Sequence, residues 1–181
     1  VKAVFMALDQ EKIIKGAYGE SMATAANSIF SNRNTFYDES VKGYTQDLEQ
    51  AKKLAKETGL AGKTITLYYN TDRGYMEATA LLIQEQLKEI DVDVKIQGVD
   101  ANGFFDVVFT DKDDYELYLN EYAAIGDPDN VVSGMYDGTW GNNIDTPQEI
   151  LDLFKKGKLM PNLVDNLTLV SETMEKVLDF V

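Results

Sequence analysis

Residues 64–99, TITLYYNTDRGYMEATALLIQEQLKEIDVDVKIQGV, change hydrophobic period twice, and that change decides the fold. Ile65, Leu67 and Tyr69 alternate as in a strand. Met76, Ala80, Ile83, Leu87 and Ile90 then recur at helical spacing, and Val92, Val94 and Ile96 alternate again. A strand, helix and strand of these lengths predict a right-handed crossover with the two strands parallel, because parallel neighbours cannot be joined by a tight turn. The fold class is therefore α/β.

A third strand is expected over 115–123. In YELYLNEYAAIGDPDN, residues 115–130, Tyr115, Leu117 and Leu119 point one way and Glu116, Tyr118 and Asn120 the other, and Gly126 and Pro128 stop the run. Ala123 and Ala124 leave backbone uncovered near the strand end, and strand ends of open α/β sheets are where ligands usually sit. An ordinary strand followed by an ordinary turn fits the same pattern. Between the βαβ unit and this strand, ANGFFDVVF is expected to be a short helix or loop carrying Phe104, Phe105 and Phe109 inward.

Upstream, VKAVFMALDQEKIIKGA, residues 1–17, reads as helix, with Asp9 placed to cap a second short turn through Ile13 and Ile14. From Tyr18 to Tyr44 the periodicity fades into Ser, Asn, Thr and aromatics, a long surface loop of the kind that often carries function. Thr45 precedes the helical run QDLEQAKKLAKETG, in which Leu48, Ala51, Leu54 and Ala55 share a face and Gly59 supplies the stop. Downstream, Thr146, Pro147 and Glu149 form a helix-start signal, with threonine as cap and proline at the first helical position; that helix is expected to run to about Lys156. From Leu163 to Phe180, Leu163, Leu167, Val170, Met174, Val177 and Leu178 lie along one amphipathic stripe.

Composition narrows the chemistry. The chain has 181 residues, 44% of them hydrophobic, enough to bury a full core and suited to a single domain over 1–181. No apolar run is long enough to span a membrane. No signal peptide opens the chain, which starts directly in a structured segment, as an excised or mature piece would. Its 17 basic and 31 acidic residues give a net charge of −14, a field that repels phosphate backbones, so no nucleic-acid partner is expected. Without cysteine or histidine there is no thiolate nucleophile, sulfur metal site, Ser-His-Asp triad or His-metal arrangement.

The remaining motifs divide between chemistry and plain structure. A calcium loop starting at Asp111 would need glycine and glutamate where Glu116 and Tyr122 stand, so Asp111, Asp113 and Asp114 read as a solvated turn. Asp127 and Asp129 flank Pro128 and read as turn residues before they read as a carboxylate pair. Asn166-Leu167-Thr168 matches a glycosylation acceptor but falls within a predicted helix. Trp140, in the glycine-rich GMYDGTWGNN, is either a ligand platform or a core plug. The loop aromatics Phe30, Phe36, Tyr37, Tyr122 and Tyr136 suit either a surface that recognises organic ligands or cover for the sheet edges.

Taken together, the segments resemble the oligopeptide and dipeptide family (family 5) of extracellular solute-binding proteins that serve ABC importers. VKAVFMALDQEKII resembles the helical opening of that family's second lobe through Ala3, Ala7, Leu8 and Asp9, with Val1 where arginine is usual. TQDLEQAKKLAKETGL is similar to its next helix, QEQLKEIDVDVKIQGVD to the following segment, and DDYELYLNEYAAIGDPDN to the strand and turn that line its cleft. The resemblance implies a periplasmic-binding-protein-like second lobe with a mixed sheet flanked by helices, the first lobe being absent.

It further implies non-catalytic binding of a peptide or other small organic solute without cofactor or metal. The protein would be a monomer that is exported, lipoprotein-anchored in full-length form and served by an ABC permease. The ligand is expected against backbone groups at Glu121, Tyr122, Ala123, Ala124, Ile125 and Gly126, with Trp140 and Phe30 shaping pockets. Some peptide binders hold the free amino terminus with an aspartate where this chain has Ala124, and have a cleft tryptophan where it has Glu121, so standard free-peptide specificity is not implied. Two other classes fit less of the chain: an acid-residue hydrolase built on Asp127 and Asp129, and the ligand-sensing domain of a regulator.

Overall fold

A computed structural model describes residues 1–26, 28–30, 32–110, 115–121, 146–158 and 176. The chain forms two compact units, Val1–Ala25 with Tyr44–Glu121, and Ala26–Gly43 with Tyr122–Val181.

The first unit is built on the expected βαβ. Strand β1 (Lys63–Asn70) leads through helix α4 (Gly74–Lys88) to β2 (Val92–Val99), and β1 and β2 pair in parallel from Lys63↔Val92 to Asn70↔Val99. Strand β3 (Leu117–Tyr118) pairs in parallel with the other side of β1, giving the order β2-β1-β3. Sheet contact extends one residue either way, since Glu116 N donates to the Thr66 carbonyl and Leu119 N to that of Tyr68. A mixed sheet was expected; the described strands are all parallel, because each connection between them is a crossover and none a hairpin.

Alternation sorts the faces. Ile65, Leu67, Tyr69, Val92 and Val94 are buried with Met76, Ala80, Ile83 and Leu87 of α4, and α1 (Lys2–Ala7) and α3 (Leu48–Glu57) complete the core through Ala3, Val4, Ala7, Ala51 and Ala55. Enclosing a side chain such as Leu67 or Leu87 stabilises by about 1.5–3 kcal/mol. The small alanines let the helices approach closely. The amide of Gln84 on α4 also donates to the Val94 carbonyl at 2.7 Å, tying the helix to β2 by a polar contact.

The opening helix is broken as Asp9 foretold. α1 stops at Ala7, Leu8 is extended, and the Asp9 carboxylate accepts from Lys12 N at 3.0 Å to start α2 (Gln10–Ile13), which runs into a π-helical turn over Ile14–Tyr18. The buried Gln86 accepts from Asp9 N at 2.6 Å and pins this corner to α4. At α3 the capping side chain is Asp47, accepting from Gln50 N at 2.9 Å, and Gly59 ends the helix at φ +70°.

After β2, α5 (Ala101–Phe105) and a π-helical turn (Asp106–Thr110) replace the undecided helix or loop. Only one of the three phenylalanines is buried as expected. Phe104 and Val108, four apart, face inward, while Phe105 is 59% exposed and meets the half-buried Phe109 at a tilt, with ring centroids 5.2 Å apart. Phe104 meets Tyr118 edge-on, so α5 covers the sheet face opposite Leu117 and α4.

In the second unit, described residues 28–43 contain neither helix nor strand, as the fading periodicity indicated. Asn34 and Asp38 accept from backbone N–H groups two residues on, and Phe30 packs on Phe36. Helix α6 (Gln148–Lys158) follows Pro147, whose carbonyl accepts from Ile150 N and Leu151 N, and Ile150 is buried. The Thr146 hydroxyl is buried without a hydrogen bond among the described residues, so it does not make the expected cap. Lys176 pairs with Glu149 at 2.9 Å; the rest of the 163–180 stripe lies outside the described residues.

Candidate functional site at the carboxyl edge of the sheet

Strand order reverses at β1: the chain crosses to β2 on one side, with α4 on one face, and returns past α5 to β3 on the other. In open α/β sheets such a reversal opens a crevice beyond the carboxyl ends of the two strands concerned, β1 and β3, and ligands bind there. The segments that leave these strands carry Arg73 and Tyr75 after β1 and Glu121 after β3.

These three side chains meet. Glu121 Oε1 lies 2.6 Å from Arg73 Nε, and its Oε2 accepts from the Tyr75 hydroxyl. Tyr18, from the π-helical turn, packs on Tyr75 with ring centroids 4.9 Å apart. The loops beneath are fixed by their own polar atoms. Asn70 Oδ1 accepts from Asp72 N, Thr71 donates to the Val99 carbonyl from both N and Oγ1, Asp72 accepts from Ala101 N, and Asp100 caps α5 through Gly103 N. Gly98 belongs to the same edge, where a Cβ would lie 2.7 Å from the Tyr69 ring.

The Arg73 and Glu121 side chains are 52% and 43% exposed. At such exposure a pair contributes less than about 1 kcal/mol, so its main effect is to cancel charge and fix geometry. Burial, with a smaller contribution from Glu77, raises the Tyr69 phenol above its usual pKa, and burial alone raises Tyr115, whose hydroxyl donates to the Val108 carbonyl. Both therefore remain neutral at physiological pH. Among the described residues, no group of three acidic, histidine or cysteine side chains could hold a metal, and no helix is long and apolar enough to cross a membrane.

Of the residues expected to line a ligand, Glu121 stands in this crevice with its carboxylate already engaged. Phe30 is 1% exposed and packs on Phe36. Tyr122, Ala123, Ala124, Ile125, Gly126 and Trp140 lie outside the described residues, as do Asp127 and Asp129. Arg73 and Tyr75 were not anticipated. The available signal was positional: Arg73, one of two arginines in the chain, lies in the short connection after the first strand of a βαβ unit.

The family model for bacterial extracellular solute-binding proteins, family 5 Middle, matches residues 2–143. The chain belongs to that family. It is 29% identical over 137 residues to di/tripeptide-binding protein 2 of Pseudomonas aeruginosa, covering 73% of this chain and 25% of the relative. Its fold matches the crystal structure of the ABC transporter substrate-binding protein CtaP of Listeria monocytogenes with a TM-score of 0.87 and 29% identity, over 98% of this chain and 37% of that one. The periplasmic binding protein DppA of Helicobacter pylori, solved with the peptide STSA, shares the fold with a TM-score of 0.81 at 23% identity, over 98% of this chain and 35% of that one. The chain thus spans about a quarter of the curated relative and little more than a third of these structures.

Proposed function

We propose that this chain forms one side of the ligand site of a solute-binding protein that delivers peptides to an ABC importer, and that it binds without catalysis. The observation that carries this reading is the Arg73–Glu121–Tyr75 cluster at the strand-order reversal, in a chain whose family is defined by solute binding. Peptide is the favoured solute class because the curated relative is a di/tripeptide-binding protein. We further propose the backbone of Tyr122 to Gly126, the ring of Trp140 and Phe30 as groups that contact the solute in the full-length protein.

The protein works outside the cytoplasmic membrane, held there by a lipid anchor, and hands its solute to a permease. Native mass spectrometry of the full-length protein purified from its own cells tests the solute class. Bound masses that fragment as short peptides are expected; a sugar, a metal chelate or chemical turnover of added peptide would overturn the assignment.

A further inference from the structure

Glu121 occupies the position from which a ligand anion would meet Arg73. Its carboxylate takes the guanidinium at 2.6 Å through one oxygen and the Tyr75 hydroxyl through the other, so both of its oxygens are engaged from the α4 side of the crevice. Its own backbone N–H is held by Asn120 Oδ1 at 2.9 Å, which fixes the residue at both ends. A guanidinium carries five N–H donors and one carboxylate takes two at most in a fork, so Arg73 keeps donors for a further acceptor while the charge of the pair is zero. Both side chains reach solvent, so a ligand can touch them.

We propose that Glu121 is a specificity-determining residue, an internal carboxylate that pre-empts Arg73 so that this subsite takes neutral acceptors, such as amide carbonyls, over carboxylates. This rests on the reading of the crevice as a solute site. An incoming carboxylate near Arg73 meets repulsion from Glu121 at almost the same distance as attraction from the guanidinium, and the two offset each other. A neutral carbonyl has no such penalty and still gains a charge-assisted donor.

The test has two arms on the full-length protein. In the first, ¹⁵N-arginine labelling follows the Nε–H signal of Arg73, assigned by its loss in Arg73→Lys, during titration with sodium acetate against sodium chloride at equal ionic strength. The expected result is no acetate-specific shift in the unmodified protein or in Tyr75→Phe, which retains the pair, and a saturable shift in Glu121→Gln. An equal acetate response in the unmodified protein and Glu121→Gln overturns the proposal.

In the second arm, calorimetry compares trialanine with trialanine amide. The unmodified protein should bind the amide at least as tightly as the acid, and Glu121→Gln should move the ratio about fivefold toward the acid, the scale of a half-exposed ion pair. That shift should vanish in Glu121→Gln/Arg73→Gln. An unchanged ratio in Glu121→Gln overturns the proposal; failure of every form to bind either peptide counts against peptide as the solute, while the acetate arm still decides the role of Glu121.

Discussion

Replacing Gly98 with alanine tests how tightly the carboxyl edge of the sheet is built. The added Cβ would lie 2.7 Å from both Cζ and Oη of Tyr69 and 2.9 Å from Cγ2 of Thr71. Tyr69 cannot swing aside freely, being 8% exposed within the core, and Thr71 is held by two hydrogen bonds to the Val99 carbonyl. Overpacking of this kind costs about 1–3 kcal/mol. The loss of glycine's freedom in the unfolded chain returns about 0.4–1 kcal/mol, so the net destabilisation is about 1.3 kcal/mol at the middle of the two ranges. For a chain of this size that lowers the thermal midpoint by about 3–5 °C. Urea unfolding followed by circular dichroism measures it, with Tyr69→Phe/Gly98→Ala as the second arm, since removing the hydroxyl clears one of the close contacts and should restore part of the loss. A midpoint for Gly98→Ala equal to or above that of the unmodified protein would refute the reasoning.

Gln86→Leu should destabilise by about 1–3 kcal/mol, because Asp9 N loses its acceptor at the corner between α1 and α2; an unchanged urea midpoint would show that the contact contributes nothing. Stability should also fall in alkali. The folded Tyr69 pKa is raised, so its contribution is intact below the unfolded value of about 10 and is lost as pH rises through the folded one; Tyr69→Phe should flatten that fall in urea titrations. The isolated 181-residue chain should melt cooperatively by circular dichroism yet bind short peptides no tighter than about millimolar by calorimetry, because on the proposed reading it supplies one side of the ligand site and leaves the ligand largely solvated.

Where hydrophobic period and capping chemistry agreed, the fold was readable from residues alone. Ile65 to Ile96 announced a parallel βαβ, and Asp9 announced the break after α1. Phe105 was misplaced because consecutive residues of a helix point in different directions: positions 104 and 108 turn inward, which leaves Phe105 exposed beside the half-buried Phe109. Thr45 and Thr146 carry the right chemistry for caps, but Asp47 is the side chain positioned to accept at α3, and the Thr146 hydroxyl makes no such bond. At the candidate site, Glu121 was expected near the end of the third strand. Its partners were not, since an ion pair between residues 48 positions apart leaves no periodic trace.

The bond from Gln84 to the Val94 carbonyl bears on how this molecule behaves in a crowd. Among the described residues β2 is an outer strand, and an outer strand exposes a row of backbone groups on which another chain can template. Here the helix behind the strand occupies one of those groups, and the exposed Asp93 and Lys95 place charges on either side of it. A second strand docking there would have to break the amide contact and bring its own backbone against both charges. The same side chain that fastens helix to sheet therefore also discourages edge-to-edge aggregation.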